Sequence, residues 1–194
     1  MNEGNLGRAL AAFQRTLVAS NTPFDRYMRG DATALSPEQV RGMERFQSVG
    51  CINCHNGPMF SDFAAHVLAV PDSPKLPESD SGVNKTYAFR MPSLRNLSAT
   101  APYMHNGAFA TLPEVVNFYQ RISRGGGRRG GGRGRVDNPQ VSRDEIDPLA
   151  RQLNMRGRGQ GDLIAFLRAL DDPNFDRTVP DRVPSGVPVS CCLA

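Results

Sequence analysis

Apolar residues recur along this chain at helical rather than strand spacing. In "LGRALAAFQRTLVA", residues 6–19, Leu6, Leu10, Phe13 and Leu17 share one stripe and predict an amphipathic helix. The stretch "SNTPFDRYMRGD" follows as a loop, broken by Pro23 and Gly30. Ser36 opens the next helix: it is an N-cap serine, Pro37 takes the first helical position, and Gln39 completes a capping box. Val40, Met43, Phe46 and Val49 then recur at steps of three until Gly50 ends the run. Residues 56–96 contain five prolines and no sustained period, so they read as loop. Thr111 starts a helix with Glu114 as capping partner, and Pro113 is tolerated in its first turn. Ser142 opens a shorter helical piece that Pro148 interrupts, and "GDLIAFLRALDD" places Leu163, Phe166, Leu167 and Leu170 on one face. No segment alternates as a strand would, and no repeat is present. The expected fold is all-α with long irregular loops: one domain over 1–190, with an irregular tail over 171–194.

Charge changes this picture only locally. Six arginines and no acid lie between Arg121 and Arg135; without them the 23 basic residues fall to 17 against 19 acidic. The basic balance therefore belongs to one segment, and the body of the chain is slightly acidic. Residues 121–139 read as a flexible glycine- and arginine-rich loop insertion. No aromatic residue is interleaved from Ile122 to Asp137, so stacking platforms for single-stranded nucleic acid are missing, and no nucleic-acid partner is expected. No apolar run approaches the roughly 20 residues of a membrane helix. The start lacks the basic-then-apolar order of a signal peptide. The final "CCLA" matches a prenylation box by chance, since that modification belongs to a different cellular setting from the chemistry of the other cysteine pair.

The four cysteines are Cys51, Cys54, Cys191 and Cys192, which is not a disulfide framework for a chain of this length. "GCINCHNG" concentrates the chemistry. Two thiols three apart can add across the two vinyl groups of haem, leaving the iron over the imidazole of His55. C-x-x-C-H is the attachment pattern of c-type haem, and a proximal histidine is the common axial ligand. A dithiol redox pair would expect a βαβ setting, which is absent. A zinc site would need two further ligands, which adjacent cysteines in the tail supply poorly. Among the downstream methionines Met59, Met91, Met104 and Met155, Met104 in "TAPYMHNGAF" is the candidate for the other face of the iron.

Four segments, "ALAAFQRTLVASNTPFDRYMRGD", "GCINCHNGPMFSD", "FRMPSLRNLSATAPYMHNGAFATLPEVVNFY" and "DLIAFLRAL", in this order resemble the C-terminal haem domain of bacterial di-haem cytochrome c peroxidases and MauG-like proteins. The resemblance implies a cytochrome c-type haem domain with one covalent haem c and His55 as proximal ligand. It places the distal ligand at Tyr119, as in MauG-like members, with Met104 the alternative. It implies that His105 borders the haem pocket, that Arg90 and Arg95 pair with haem propionates or serve as ordinary structural arginines, and that carbonyls at Thr100 and Pro102 contribute to a calcium site. His66 receives no role. In complete members peroxide reacts at a second haem in another domain, so the implied partners are that haem domain or another redox protein, with peroxide met only indirectly. The departures are a single C-x-x-C-H, no tryptophan, and Asn106 where the family often has aspartate. Covalent haem is attached after export, so the expectation is a periplasmic or otherwise exported setting, and a fragment or separately encoded half of a di-haem protein. The alternative expectation is an autonomous mono-haem electron carrier with Met104 on the iron.

Overall fold

The computed structural model describes residues 2–123, 136–155, 157–175 and 181–182. Helix α3 (Pro37–Val49) and helix α6 (Gln160–Arg168) form the central pair. Each turns an apolar face inward, with Phe46 and Val49 meeting Leu163, Phe166 and Leu167. Their close approach is made at Gly42, where any Cβ would press on the backbone of Asp162 and lie 2.7 Å from Phe166 Cβ. The Ser36–Gln39 capping box starts α3, and Gly50, at φ 102°, ends it in the left-handed region that glycine adopts without strain.

Helix α4 (Leu112–Ser123) joins two apolar clusters. Leu112 and Val116 belong to the α3–α6 cluster, while Phe118 and Ile122 pack with Ala69, Val70, Val141, Ile146 and Ala150. Its start follows the expected device: Glu114 Oε2 accepts the backbone N–H groups of Ala110 and Thr111. At its other end Arg121 pairs with Asp137 at 2.6 Å, pinning the two ends of the arginine–glycine stretch together. Most of that stretch, Cys191, Cys192 and nearly all of the tail lie outside the described residues.

Three expectations change. Helix α1 (Glu3–Gln14) forms, but it buries nothing: Leu6, Leu10 and Phe13 remain 51–62% exposed. The presumed loop after it contains helix α2 (Pro23–Met28), begun by a Thr22–Asp25 capping box with proline at the first position. The signal, "TPFD", is short but was present in the sequence. Pro148 does not interrupt a helix; it starts α5 (Pro148–Arg151), capped by Asp147, after a separate single turn over Arg143–Glu145.

The all-α expectation is also corrected. The protein is helix-rich, yet β1 (Ala65–Val67) and β2 (Ala88–Arg90) pair antiparallel, with His66 opposite Phe89. Three residues per strand are too few for alternation to register. Apart from a single helical turn over Leu97–Ala99, the remainder of 56–107 is irregular, with eight non-glycine residues at positive φ, from Phe60 (52°) to Met104 (72°). None of the helices among the described residues is long and apolar enough to cross a membrane.

Candidate functional site

The C-terminal end of α3 delivers the cysteine pair. After Gly50 the chain enters a tight turn over Cys51–Asn53, and the His55 N–H donates to Cys51 O at 3.0 Å. Both thiols are free, and burial pushes them up, Cys51 to about 12 and Cys54 to about 11, so neither ionises at neutral pH.

His55 is held by the turn that leads away from it. Its Nδ1 lies 3.0 Å from Phe60 O, and a carbonyl can only accept, so Nδ1 carries the proton and Nε2 keeps its lone pair. Burial lowers the imidazole pKa, which also favours the neutral form. A neutral ring with one nitrogen anchored on a carbonyl is the form that binds metals, and the anchor raises its basicity as a ligand. The turn carrying Phe60 is itself fixed: Asp62 N–H donates to Cys54 O at 2.8 Å, and Ser61 Oγ donates to Met91 O at 2.7 Å.

These groups open on one cavity of about 430 Å³, within the roughly 300–1,000 Å³ of ordinary cofactor sites. Cys51, Cys54, His55, Thr100, Pro102, Met104, His105 and Tyr119 all border it, although 68 positions of sequence separate the first from the last. The lining is otherwise mostly apolar, with Phe46, Leu97, Val116, Leu163 and Leu167 among its walls. Two free thiols, an imidazole with a free Nε2 and an apolar cleft suit a covalently attached haem.

Tyr119 sits on α4 where the two apolar clusters meet, its ring 5.5 Å from that of Phe118. Burial, helped by the nearby Cys51 and Cys54, pushes its phenol above the usual range. Met104 lies in the turn closed by the Tyr103 N–H donating to Phe109 O at 2.7 Å. His105 stacks on Phe89 with ring centroids 3.4 Å apart, so one face of its imidazole is covered. Thr100 donates both its N–H and its hydroxyl to Leu97 O.

Of the two arginines, Arg90 borders the cavity, its guanidinium 4.8 Å from the Phe63 ring. Arg95 does not line it. Its guanidinium makes a bidentate pair with Asp25 at 2.7 and 2.8 Å, and Nε donates to Pro58 O at 2.7 Å. It is a structural arginine that ties α2 to the turn after His55. The pair and the Thr22 donors outweigh the burial that would raise Asp25, and hold its carboxyl at about 2.

His66 had no sequence signal and is part of the site. It is buried on β1, borders the cavity, and is bracketed by two carboxylates: Nε2 lies 2.9 Å from Asp62 and Nδ1 2.7 Å from Asp147. Asp147 is 81 residues away in sequence, which is why no motif revealed the arrangement. Cys54, Asp62 and His66 offer ligand atoms within 4.8 Å of one another. Both His66 nitrogens are already engaged, so this group does not make a metal site.

A family model described as di-haem cytochrome c peroxidase matches residues 1–33. The chain is 37% identical over 212 residues to a cytochrome-c peroxidase, IdrP1, of Pseudomonas sp. (strain SCT), covering 87% of this chain and 52% of that protein. It is 30% identical over 179 residues to the methylamine utilization protein MauG of Methylophilus methylotrophus, covering 88% and 48%. Among solved structures it is similar to a MauG-like protein associated with microbial copper homeostasis, with a TM-score of 0.64, 28% identity, and coverage of 84% and 55%. The chain thus spans about half the length of the relatives it matches.

Proposed function

Since the chain belongs to the MauG-like di-haem cytochrome c peroxidase family as a haem oxidoreductase module, we propose that it passes electrons to or from a peroxide-reducing haem held by a second domain. The observation that carries this reading is the apolar cavity onto which Cys51, Cys54 and the free Nε2 of His55 converge. In this reading the chain is a cytochrome c-type domain with one haem c. Cys51 and Cys54 would hold the haem through thioethers to its vinyl groups, and His55 Nε2 would supply a ligand to its iron. Haem supplies a one-electron ferric/ferrous couple. The protein's task is to bind that couple, orient it and set its potential.

Tyr119 would supply the second iron ligand, with Met104 the alternative on the same cavity. A buried phenol resists ionising unless a cation replaces its proton, so phenolate ligation favours the ferric state and a low potential. A neutral thioether favours the ferrous state. His105 completes the pocket beside Phe89, and Arg90 at the rim is placed for a propionate. Calcium at the carbonyls of Thr100 and Pro102 requires several more oxygen ligands, which a second domain would supply. The exposed apolar stripe of α1, within the residues matched by the family model, is the surface such a domain would cover. The setting proposed is periplasmic or otherwise exported.

Two measurements test this on protein matured in a host that attaches c-type haem. A haem-stained denaturing gel and an intact mass should show one haem per chain, lost in Cys51→Ala/Cys54→Ala; a colourless chain of bare polypeptide mass refutes the reading. Tyr119→Phe should then perturb the ferric spectrum more than Met104→Leu. The opposite ranking, with a near-infrared methionine-to-iron band, favours the autonomous electron carrier.

A further inference from the structure

The His66 arrangement is more than a buried histidine finding partners. Asp62 Oδ2 and Asp147 Oδ2 approach its two ring nitrogens at 2.9 and 2.7 Å. The remaining oxygens are engaged as well: Asp62 Oδ1 accepts the Ala64 N–H, and Asp147 Oδ1 accepts the Leu149 N–H at the start of α5. Each carboxylate can only accept, so both ring nitrogens must donate and the ring is an imidazolium. Burial alone would lower the pKa of His66, but the hydrogen bonds its ring donates to Asp147 and then to Asp62 outweigh it and raise it. The cluster is therefore carboxylate–imidazolium–carboxylate, with one net negative charge. It is only partly solvated: the three side chains are 9%, 22% and 21% exposed for His66, Asp62 and Asp147.

Its position gives that charge a use. A ring nitrogen of His66 and a carboxylate oxygen of Asp62 lie within 4.8 Å of Cys54 Sγ, and His66 itself borders the cavity. Fixed charge this close in a poorly screened setting acts strongly on any redox group beside it. Resting on the haem reading, we propose that the Asp62–His66–Asp147 cluster sets the reduction potential of the haem attached at Cys54, with His66 cancelling one of two negative charges at the haem edge. His66 touches no reacting atom, so it is a positioning residue whose output is electrostatic. Its second effect is mechanical, because Asp62 belongs to the turn that carries the His55 acceptor Phe60 and Asp147 caps α5.

The test is a charge ladder read by spectroelectrochemical titration of haem-loaded protein. His66→Gln leaves both carboxylates unopposed, takes the cluster to two negative charges, and should lower the midpoint potential. His66→Gln with Asp147→Asn returns it to one charge and should restore the potential toward that of the unaltered chain. Adding Asp62→Asn brings it to zero and should raise the potential above the unaltered value. Loss of packing would worsen with each substitution, whereas charge predicts recovery and then overshoot. If the single variant does not accumulate, the order of the double and triple variants decides. Potentials that stay unmoved, or that fall steadily along the series, overturn the proposal while leaving covalent haem intact. Absence of haem from the unaltered chain overturns the haem assignment and this proposal with it.

Discussion

Replacing Gly42 with alanine is expected to weaken the protein more than almost any other one-carbon change. The new Cβ would lie 2.7 Å from Phe166 Cβ, about 0.7 Å short of the 3.4 Å where ordinary contact begins, and nearer still to the Asp162 carbonyl. Phe166 is 1% exposed and cannot swing away, and a backbone carbonyl inside α6 cannot rotate without losing its place in the helix. The two helices must separate, against an overpacking cost of about 1–3 kcal/mol, here at the upper end because the obstacle is backbone. Alanine returns about 0.5–1 kcal/mol through its better helix propensity. The expected net loss is about 2 kcal/mol, which for a chain of this size lowers Tm by about 4–8 °C. Urea and thermal unfolding of the haem-loaded protein, followed by circular dichroism and by haem absorbance, measure it. A Gly42→Ala protein as stable as the original would show that α3 and α6 do not meet at this point, and the placement of the cysteine turn at the end of α3 would lose its support.

Two further outcomes are expected. Asp25 has its folded pKa at about 2, below the roughly 3.9 of an unfolded chain, so its stabilising contribution is complete above about pH 4 and disappears as pH falls toward 2. Arg95→Met should remove most of that acid sensitivity, visible as a shallower loss of stability between pH 4 and 2 by circular dichroism; an unchanged acid profile would dismiss the pair. Leu10→Gln on the exposed stripe of α1 should change unfolding free energy by less than about 0.5 kcal/mol in this chain, and a loss above 1 kcal/mol would mean that α1 packs on the body after all.

The parts of this protein that could be read from sequence are those whose causes are local. The Ser36 and Thr111 helix starts, the Gly50 stop and the apolar faces of α3, α4 and α6 are written within a few residues of where they act. Cys51, Cys54 and His55 belong to the same class, being one short motif. The cavity they border is also lined by Met104, His105 and Tyr119. What escaped depends on residues distant in the chain. Arg95 was a candidate for haem propionates because arginine near a haem motif suits them; its commitment to Asp25, 70 residues earlier, appears only once α2 is folded against the turn after His55. His66 looked idle because neither Asp62 nor Asp147 marks it out by spacing. The small sheet was missed for a different reason, since pairs of three residues draw their stability from the surrounding packing and carry no pattern of their own.

The irregular middle of the chain has one more implication. Between Phe60 and Met104 eight residues with side chains adopt the mirror-handed backbone that L-amino acids avoid, each at a cost of about 1–3 kcal/mol. At the start of this stretch the helices act as the mould, since Phe60 is packed against the rings of Phe24 in α2, Phe46 in α3 and Phe166 in α6. Anyone seeking to graft the site elsewhere must therefore carry the mould along with the casting.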